Sequence, residues 1–188
     1  MPRFHSGMRV AAAASAVLLG VTLAVASHAG PPIGVRSFDD GLAGVRSANP
    51  QMKFSVEEVS RQGSVLVVEY PAASGDPAAR DVWCEVENSD WSGAKQLVFN
   101  AKAERAMRLS VSFLDRNRIA YTHWVELQAG DWQTVWIPFE QLRPNPFFQP
   151  PDAKKGAPLD ASEVKGIGFA PQDPGAGRLA IGQIWLDY

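Results

Sequence analysis

Short runs of alternating apolar and polar residues, each closed by glycine, proline, aspartate or asparagine, constrain this chain more than any other feature. They cover residues 52–59, 64–70, 81–87, 96–103, 107–114, 119–127, 134–139, 166–170 and 179–187. A period near two sends successive side chains to opposite faces of a strand. After the N-terminal stretch, no segment keeps helical spacing over several turns. Many short strands with turn residues between them make an all-β sandwich or barrel. Asp115-Arg116-Asn117-Arg118 is expected to close a hairpin. Two connections are long, 72–80 and 141–158, and the second sets Phe147-Phe148 among five prolines. Adjacent phenylalanines argue against plain disorder: they either cap an open end of the sandwich or serve a ligand.

The first 29 residues are set apart from that pattern. Arg3 and Arg9 make a positive start, residues 10–26 are apolar or small, and Ala24-Val25-Ala26 and Ser27-His28-Ala29 both fit small-x-small cleavage. Ser15, Gly20 and Thr22 interrupt the stretch, which falls short of the ~20 apolar residues of a spanning helix. The expectation is a cleavable signal peptide over 1–29, one domain over 33–188, and a secreted or periplasmic protein with no membrane insertion after cleavage. No cysteine at the cleavage site supports a lipid anchor. Removing Arg3 and Arg9 but no acid takes the formal charge from −2 to −4. A mildly acidic surface argues against nucleic acid as a partner. The one cysteine, Cys84, has no partner for an internal disulfide and lies between Val82 and Val86 as a small buried residue. His123 is the one histidine beyond the signal, which leaves little room for histidine-based metal or triad chemistry. Glu85 and Glu87 share a strand face, but no motif singles out a catalytic acid or nucleophile, so the chain is expected not to be an enzyme.

Several motifs follow in order. Ser37-Phe38-Asp39-Asp40-Gly41 comes first, then Asp90-Trp91-Ser92-Gly93 ahead of Leu97-Val98-Phe99-Asn100-Ala101-Lys102. Val111-Ser112-Phe113-Leu114-Asp115 and Tyr121 come next, then Trp132-Gln133-Thr134-Val135, Ile137-Pro138-Phe139 and Ile167-Gly168-Phe169. Their order and spacing, from Phe38 to Leu186, resemble the family 11 carbohydrate-binding modules and related galactose-binding-like sandwiches. The resemblance implies a two-sheet jelly-roll β-sandwich and non-catalytic binding of a polysaccharide or oligosaccharide, a β-glucan or an envelope polysaccharide. The same superfamily includes the mitochondrial complex I intermediate-associated proteins, which implies as the alternative an assembly factor with an envelope protein as partner. Their Met-Gly-Gly element is replaced here by Asp39-Asp40-Gly41-Leu42-Ala43-Gly44. The family's last strand carries an aspartate that helps to bind a structural calcium; here that strand reads Ile181-Gly182-Gln183-Ile184, leaving Asp39 and Asp187 as candidate calcium ligands. The family's loop after Ile-Pro-Phe carries sugar-contacting residues, which points to Arg143 and Phe148, with Phe147 in place of an acid.

A sugar ring offers an apolar C–H face and a rim of hydrated hydroxyls. Binding it takes a flat aromatic for the face and directed polar groups to replace the lost water. Strand parity says which residues could do this. With Val82 and Cys84 inward, Trp83 and Glu85 point out; with Val135 and Ile137 inward, Trp136 points out. In 119–127, inward Val125 and Leu127 leave Trp124 and Glu126 outside and carry Tyr121 inward, unless a bulge reverses part of the strand. The candidate platform is therefore Trp83, Trp124 and Trp136 with Glu85 and Glu126 beside them, and Tyr121, Arg143 and Phe148 as further sugar contacts. Trp91, Trp132 and Trp185 are assigned to packing or turn support.

Overall fold

The computed structural model describes residues 32–73, 80–146, 149–153 and 156–188. The expected signal peptide and Phe148 lie outside the described residues. The strands are β1 Ile33–Arg36, β2 Val45–Arg46, β3 Lys53–Val59, β4 Gly63–Tyr70, β5 Val82–Glu85, β6 Gln96–Ala103, β7 Met107–Asp115, β8 Ala120–Leu127, β9 Gln133–Pro138, β10 Arg143–Pro144, β11 Val164–Pro171 and β12 Gly177–Asp187. They form two antiparallel sheets. Sheet I has the order β3-β4-β12-β6-β9, with β1 also paired to β12; sheet II has the order β10-β8-β7-β11-β5-β2. Each alternating run of the sequence is a strand. β2 and β10 escape sequence reading because they span two residues each, too short for alternation to stand out, and β1 because Val35 and Arg36 are buried side by side instead of alternating.

The inner faces make the core. Leu66, Val68, Leu97, Phe99, Ile181 and Ile184 come from sheet I, and Leu109, Val111, Phe113, Ile167 and Phe169 from sheet II, all essentially inaccessible to solvent. Phe99 and Phe169 meet edge to face across the two sheets, centroids 5.4 Å apart, a favoured aromatic geometry. Ile181 and Ile184 are three residues apart yet both point inward, because the register of β12 against β6 shifts between them. Gly182-Gln183 thus forms a β-bulge, which restores the inward face after an odd number of residues. Cys84 is fully buried, and desolvation pushes its thiol up to about 12, so it behaves as an apolar side chain.

Turns close where the sequence places them. Asp115 Oδ1 accepts the backbone N–H groups of Asn117 and Ile119, each at 2.9 Å, and Arg118 N–H donates to Asp115 O. The β7–β8 hairpin therefore hangs on one aspartate side chain holding the backbone two residues on. At the start of the domain, Phe38 is buried as an anchor and Gly41 takes φ +76° in a turn whose N–H donates to Phe38 O, a conformation that favours glycine.

Candidate functional site

The outer face of sheet II gathers polar and aromatic groups around a floor of small residues. Pairing sets Thr122 of β8 beside Ser112 of β7, Ser112 beside Gly168 of β11, Gly168 beside Trp83 of β5, and Trp83 beside Arg46 of β2. One row along, Trp124 lies beside Ser110, and Ser110 beside Ala170. Small side chains thus run between Trp124 on β8 and Trp83 on β5, three strand spacings or about 14 Å apart. Trp124 is 46% exposed, and the Arg108 guanidinium lies 4.4 Å from the centre of its ring; this cation–π contact braces the indole. A chain of side-chain bonds crosses the floor, with Asn145 Nδ2–H donating to Thr122 Oγ1 at 3.1 Å and Thr122 within 3.5 Å of Ser112 Oγ.

Gly166 and Gly168 explain how Trp83 lies here. A Cβ on Gly166 would stand 2.5 Å from Trp83 Cζ2, and one on Gly168 would stand 3.5 Å from Trp83 Cε3. The indole is therefore laid flat over the two glycines, presenting an aromatic face rather than an edge. A Gly166 Cβ would also stand 2.7 Å from the Cys84 carbonyl oxygen, so we expect Gly166→Ala to lift the Trp83 ring, strain the β11–β5 pairing and lower ligand affinity and melting temperature together. Intrinsic tryptophan fluorescence and thermal unfolding check the two halves of that expectation.

Asp81 completes the face. It precedes β5 by one residue and shares the outward parity of Trp83; its Oδ1 sits 3.0 Å from where a Gly168 Cβ would stand. Desolvation raises its carboxyl to about 6. A carboxylate with burial but no compensating ion pair is an arrangement concentrated at functional sites. Sequence reasoning passed over it because an aspartate at the start of a run reads as turn punctuation. Its place two residues before Trp83 was the signal that could have found it.

The remaining candidates divide. Glu85 is exposed and paired with Arg46 at 2.7 Å, at the edge of the same face. Arg143, on β10 opposite Thr122, is exposed with its guanidinium donating to the carbonyls of Glu140 and Leu142, each at 2.7 Å. Glu126 is exposed 3.6 Å from Arg108, beyond Trp124. Two expectations are corrected. Tyr121 is fully buried, with its hydroxyl donating to Ala157 O and Pro158 O at 3.1 and 2.7 Å; no bulge reverses β8, so this tyrosine ties the proline-rich loop to the sheet from inside. Trp136 is 56% exposed, but it belongs to β9 of sheet I. The two sheets turn their outer faces away from each other, so Trp136 cannot join Trp83 and Trp124 in one platform.

The two candidate calcium ligands do not meet. Asp187 accepts from Gln96 Nε2 at 2.5 Å. β1 leaves this end of β12, with Ile33 opposite Leu186 and Arg36 opposite Ile184, and the chain reaches the exposed Asp39 only after that. Among the described residues, no group of three histidine, cysteine or acidic side chains is arranged to hold a metal ion.

No protein-family model matches the sequence, and neither does any curated protein sequence. Solved structures do match. A family 11 carbohydrate-binding module from Clostridium thermocellum, in complex with a β-1,3-1,4-mixed-linked tetrasaccharide, superposes with a TM-score of 0.64 at 19% identity, covering 85% of this chain and 97% of that one. This chain has the family 11 fold. The family 11 module of the cellulosomal cellulase Lic26A-Cel5E from Clostridium thermocellum agrees, with a TM-score of 0.60 at 21% identity over 82% of this chain and 95% of that one. An exo-β-agarase contains the same fold as one part: it matches 86% of this chain but 25% of its own length, with a TM-score of 0.59 at 14% identity. The family 11 fold accounts for the two antiparallel sheets and for the order of the motifs from Phe38 to Leu186. Likeness of fold is separate from likeness of site.

Proposed function

We propose that this chain is an exported, non-catalytic carbohydrate binder that holds a polysaccharide, a β-glucan or an envelope polysaccharide, on the outer face of sheet II. The observation that carries this reading is the pairing of two outward indoles, Trp83 and Trp124, across a floor of Ser110, Ser112, Gly168 and Ala170. The indoles supply stacking surfaces for the C–H faces of pyranose rings. Asp81, Thr122 and Asn145 supply directed acceptors and donors for the hydroxyl rim. Floor residues without bulk let a flexible chain approach the sheet. The family 11 fold supports the reading, since modules of that fold include one solved with a mixed-linked tetrasaccharide.

Affinity electrophoresis of the chain from residue 30 onward, in gels holding soluble β-1,3-1,4-glucan or agarose, tests it. Retardation by one of them is expected, and Trp124→Ala should weaken it by roughly tenfold, since an aromatic contact beyond simple burial amounts to about 1 kcal/mol and the lost area adds to it. Equal mobility in every gel would remove sugar binding and leave the protein-partner alternative, to be sought in the cell envelope.

A further inference from the structure

The outer face of sheet I carries a second arrangement of the same kind. Its register places Trp136 of β9 beside Val98 of β6, Val98 beside Trp185 of β12, and Trp185 beside Gly34 of β1. Trp136 is 56% exposed, and Val98 between the indoles is 2% exposed. The tryptophans stand two strand spacings apart, about 9.6 Å, a separation on the scale of two linked pyranose rings.

Polar groups flank this row on both sides. On one, Thr134 Oγ1–H donates to Asn100 Oδ1, and Asn100 Nδ2–H donates to Gln62 Oε1, each at 2.9 Å. On the other, Gln96 donates to Asp187. The β12 bulge pushes Gln183 into solvent beside them. A recess of about 280 Å³ opens here, lined by Gly34, Arg61, Gln62, Asn100, Gln183 and Trp185.

We propose that this face is a second carbohydrate site, taking a neutral hexose polymer. The chemistry selects the occupant. A protein interface concentrates contiguous apolar area at its centre; here the row of indoles is flanked by amides, the Thr134 hydroxyl and the Asp187 carboxylate, which Gln96 already engages, so much of the contact must be hydrogen-bonded. Only Arg61 carries a charge among the residues lining the recess, which fits an uncharged polyol rather than a strongly ionic partner. Amides serve as donor and acceptor at once, as sugar hydroxyls require. Amide ladders also hold their own orientation: Asn100 is fixed from both sides by Gln62 and Thr134.

Two sites on opposite faces of one sandwich have a consequence that one site lacks. Each face engages a different polymer chain, so the protein bridges chains, and its hold on a network exceeds the affinity of either face. The sheet I site uses different residues on a different sheet from the groove of sheet II, whereas the bridging needs both faces and rests on the function proposed above.

The test uses the chain from residue 30 onward, shown monomeric by gel filtration, with soluble β-1,3-1,4-glucan and agarose as probes. Wild type should be retarded and should cloud dilute polysaccharide by cross-linking. Trp136→Ala and Gln62→Ala should each remain retarded but lose the turbidity; both side chains reach the surface, and unchanged thermal unfolding confirms the fold. Retardation of wild type without turbidity, together with unchanged retardation of Trp136→Ala, overturns the second site and leaves the sheet II groove standing, as does full turbidity in both variants. Normal retardation of Trp124→Ala with loss of all binding in Trp136→Ala supports the second site and removes the groove. Equal mobility of wild type with and without both probes overturns both.

Discussion

Replacing Asp81 by asparagine is expected to stabilise the protein and weaken its hold on sugar in the same stroke. The carboxyl is shifted upward, to about 6, by desolvation, from about 3.9 in an unfolded chain. The folded state therefore prefers the protonated form. Below about pH 4 both states are protonated and Asp81 exacts no penalty. Between about pH 4 and 6 the unfolded chain ionises first, and stability is lost as the pH climbs through the folded value; above it the loss is complete. Two pK units correspond to about 3 kcal/mol. Asp81 is half-buried, and residual solvent screening brings the expected gain from Asp81→Asn to about 2 kcal/mol at pH 8, vanishing near pH 4. Thermal unfolding of parent and variant across that range reads it directly. Binding should move the other way. A carboxylate accepting sugar hydroxyls makes charge-assisted bonds, so affinity should fall as the pH drops through about 6, and Asp81→Asn should lose roughly tenfold at pH 8. A variant that gains stability and keeps full affinity would mean that Asp81 is a strained residue of the sheet and does not touch the ligand.

That stability is given up at this point agrees with how much of the protein is legible in its sequence. Alternation exposes the strands because burial of one face forces it, and the inward positions of Val82, Cys84, Val135 and Ile137 follow directly. Parity also states which residues of a strand point outward. It is silent on which of two sheets a strand joins, since that depends on pairing between segments far apart in the chain. Trp136 and Trp124 are twelve residues apart with the same outward sense, yet β8 and β9 belong to different sheets. The Trp83 platform shows the opposite limit. Gly168 is recognisable as part of Ile167-Gly168-Phe169, but its service as a bed for an indole appears only when β11 pairs with β5. Parity leaves Tyr121 ambiguous, inward only if Val125 and Leu127 are, and its two hydrogen bonds to the proline-rich loop cannot be inferred from a strand alone.

The tryptophans should accordingly separate into two mechanical classes, with Trp91 at the far end of the scale. Trp91 is completely buried. Its ring stacks on Phe139 at 5.7 Å and 13°, and meets Phe113 edge-on at 5.8 Å and 82°. Phe113 belongs to β7 of sheet II, while Phe139 directly follows β9 of sheet I, so one side chain closes the end of the sandwich from the connection between β5 and β6. Its indole Nε1–H donates to Asn88 O at 2.9 Å, and its backbone N–H donates to Ala161 O at 2.8 Å. Trp91→Ala opens a cavity between the sheets and leaves the Asn88 carbonyl without its donor, at a cost of about 3–5 kcal/mol. Set against a total stability of ~5–15 kcal/mol, that is a large share of the fold. For a domain of this size the melting temperature should fall by roughly 10 °C or more. Trp91→Phe keeps a ring against Phe139 but loses the Nε1–H bond, and should fall between the two, at about 1–2 kcal/mol. Trp124→Ala and Trp136→Ala remove side chains already 46% and 56% in solvent, and are expected to stay within about 1 kcal/mol of the parent. The separation matters for the binding experiments. Only variants that stay fully folded at the temperature of the binding assay report on a ligand, and a melting temperature for Trp91→Ala equal to the parent's would show that the sheets are held together elsewhere.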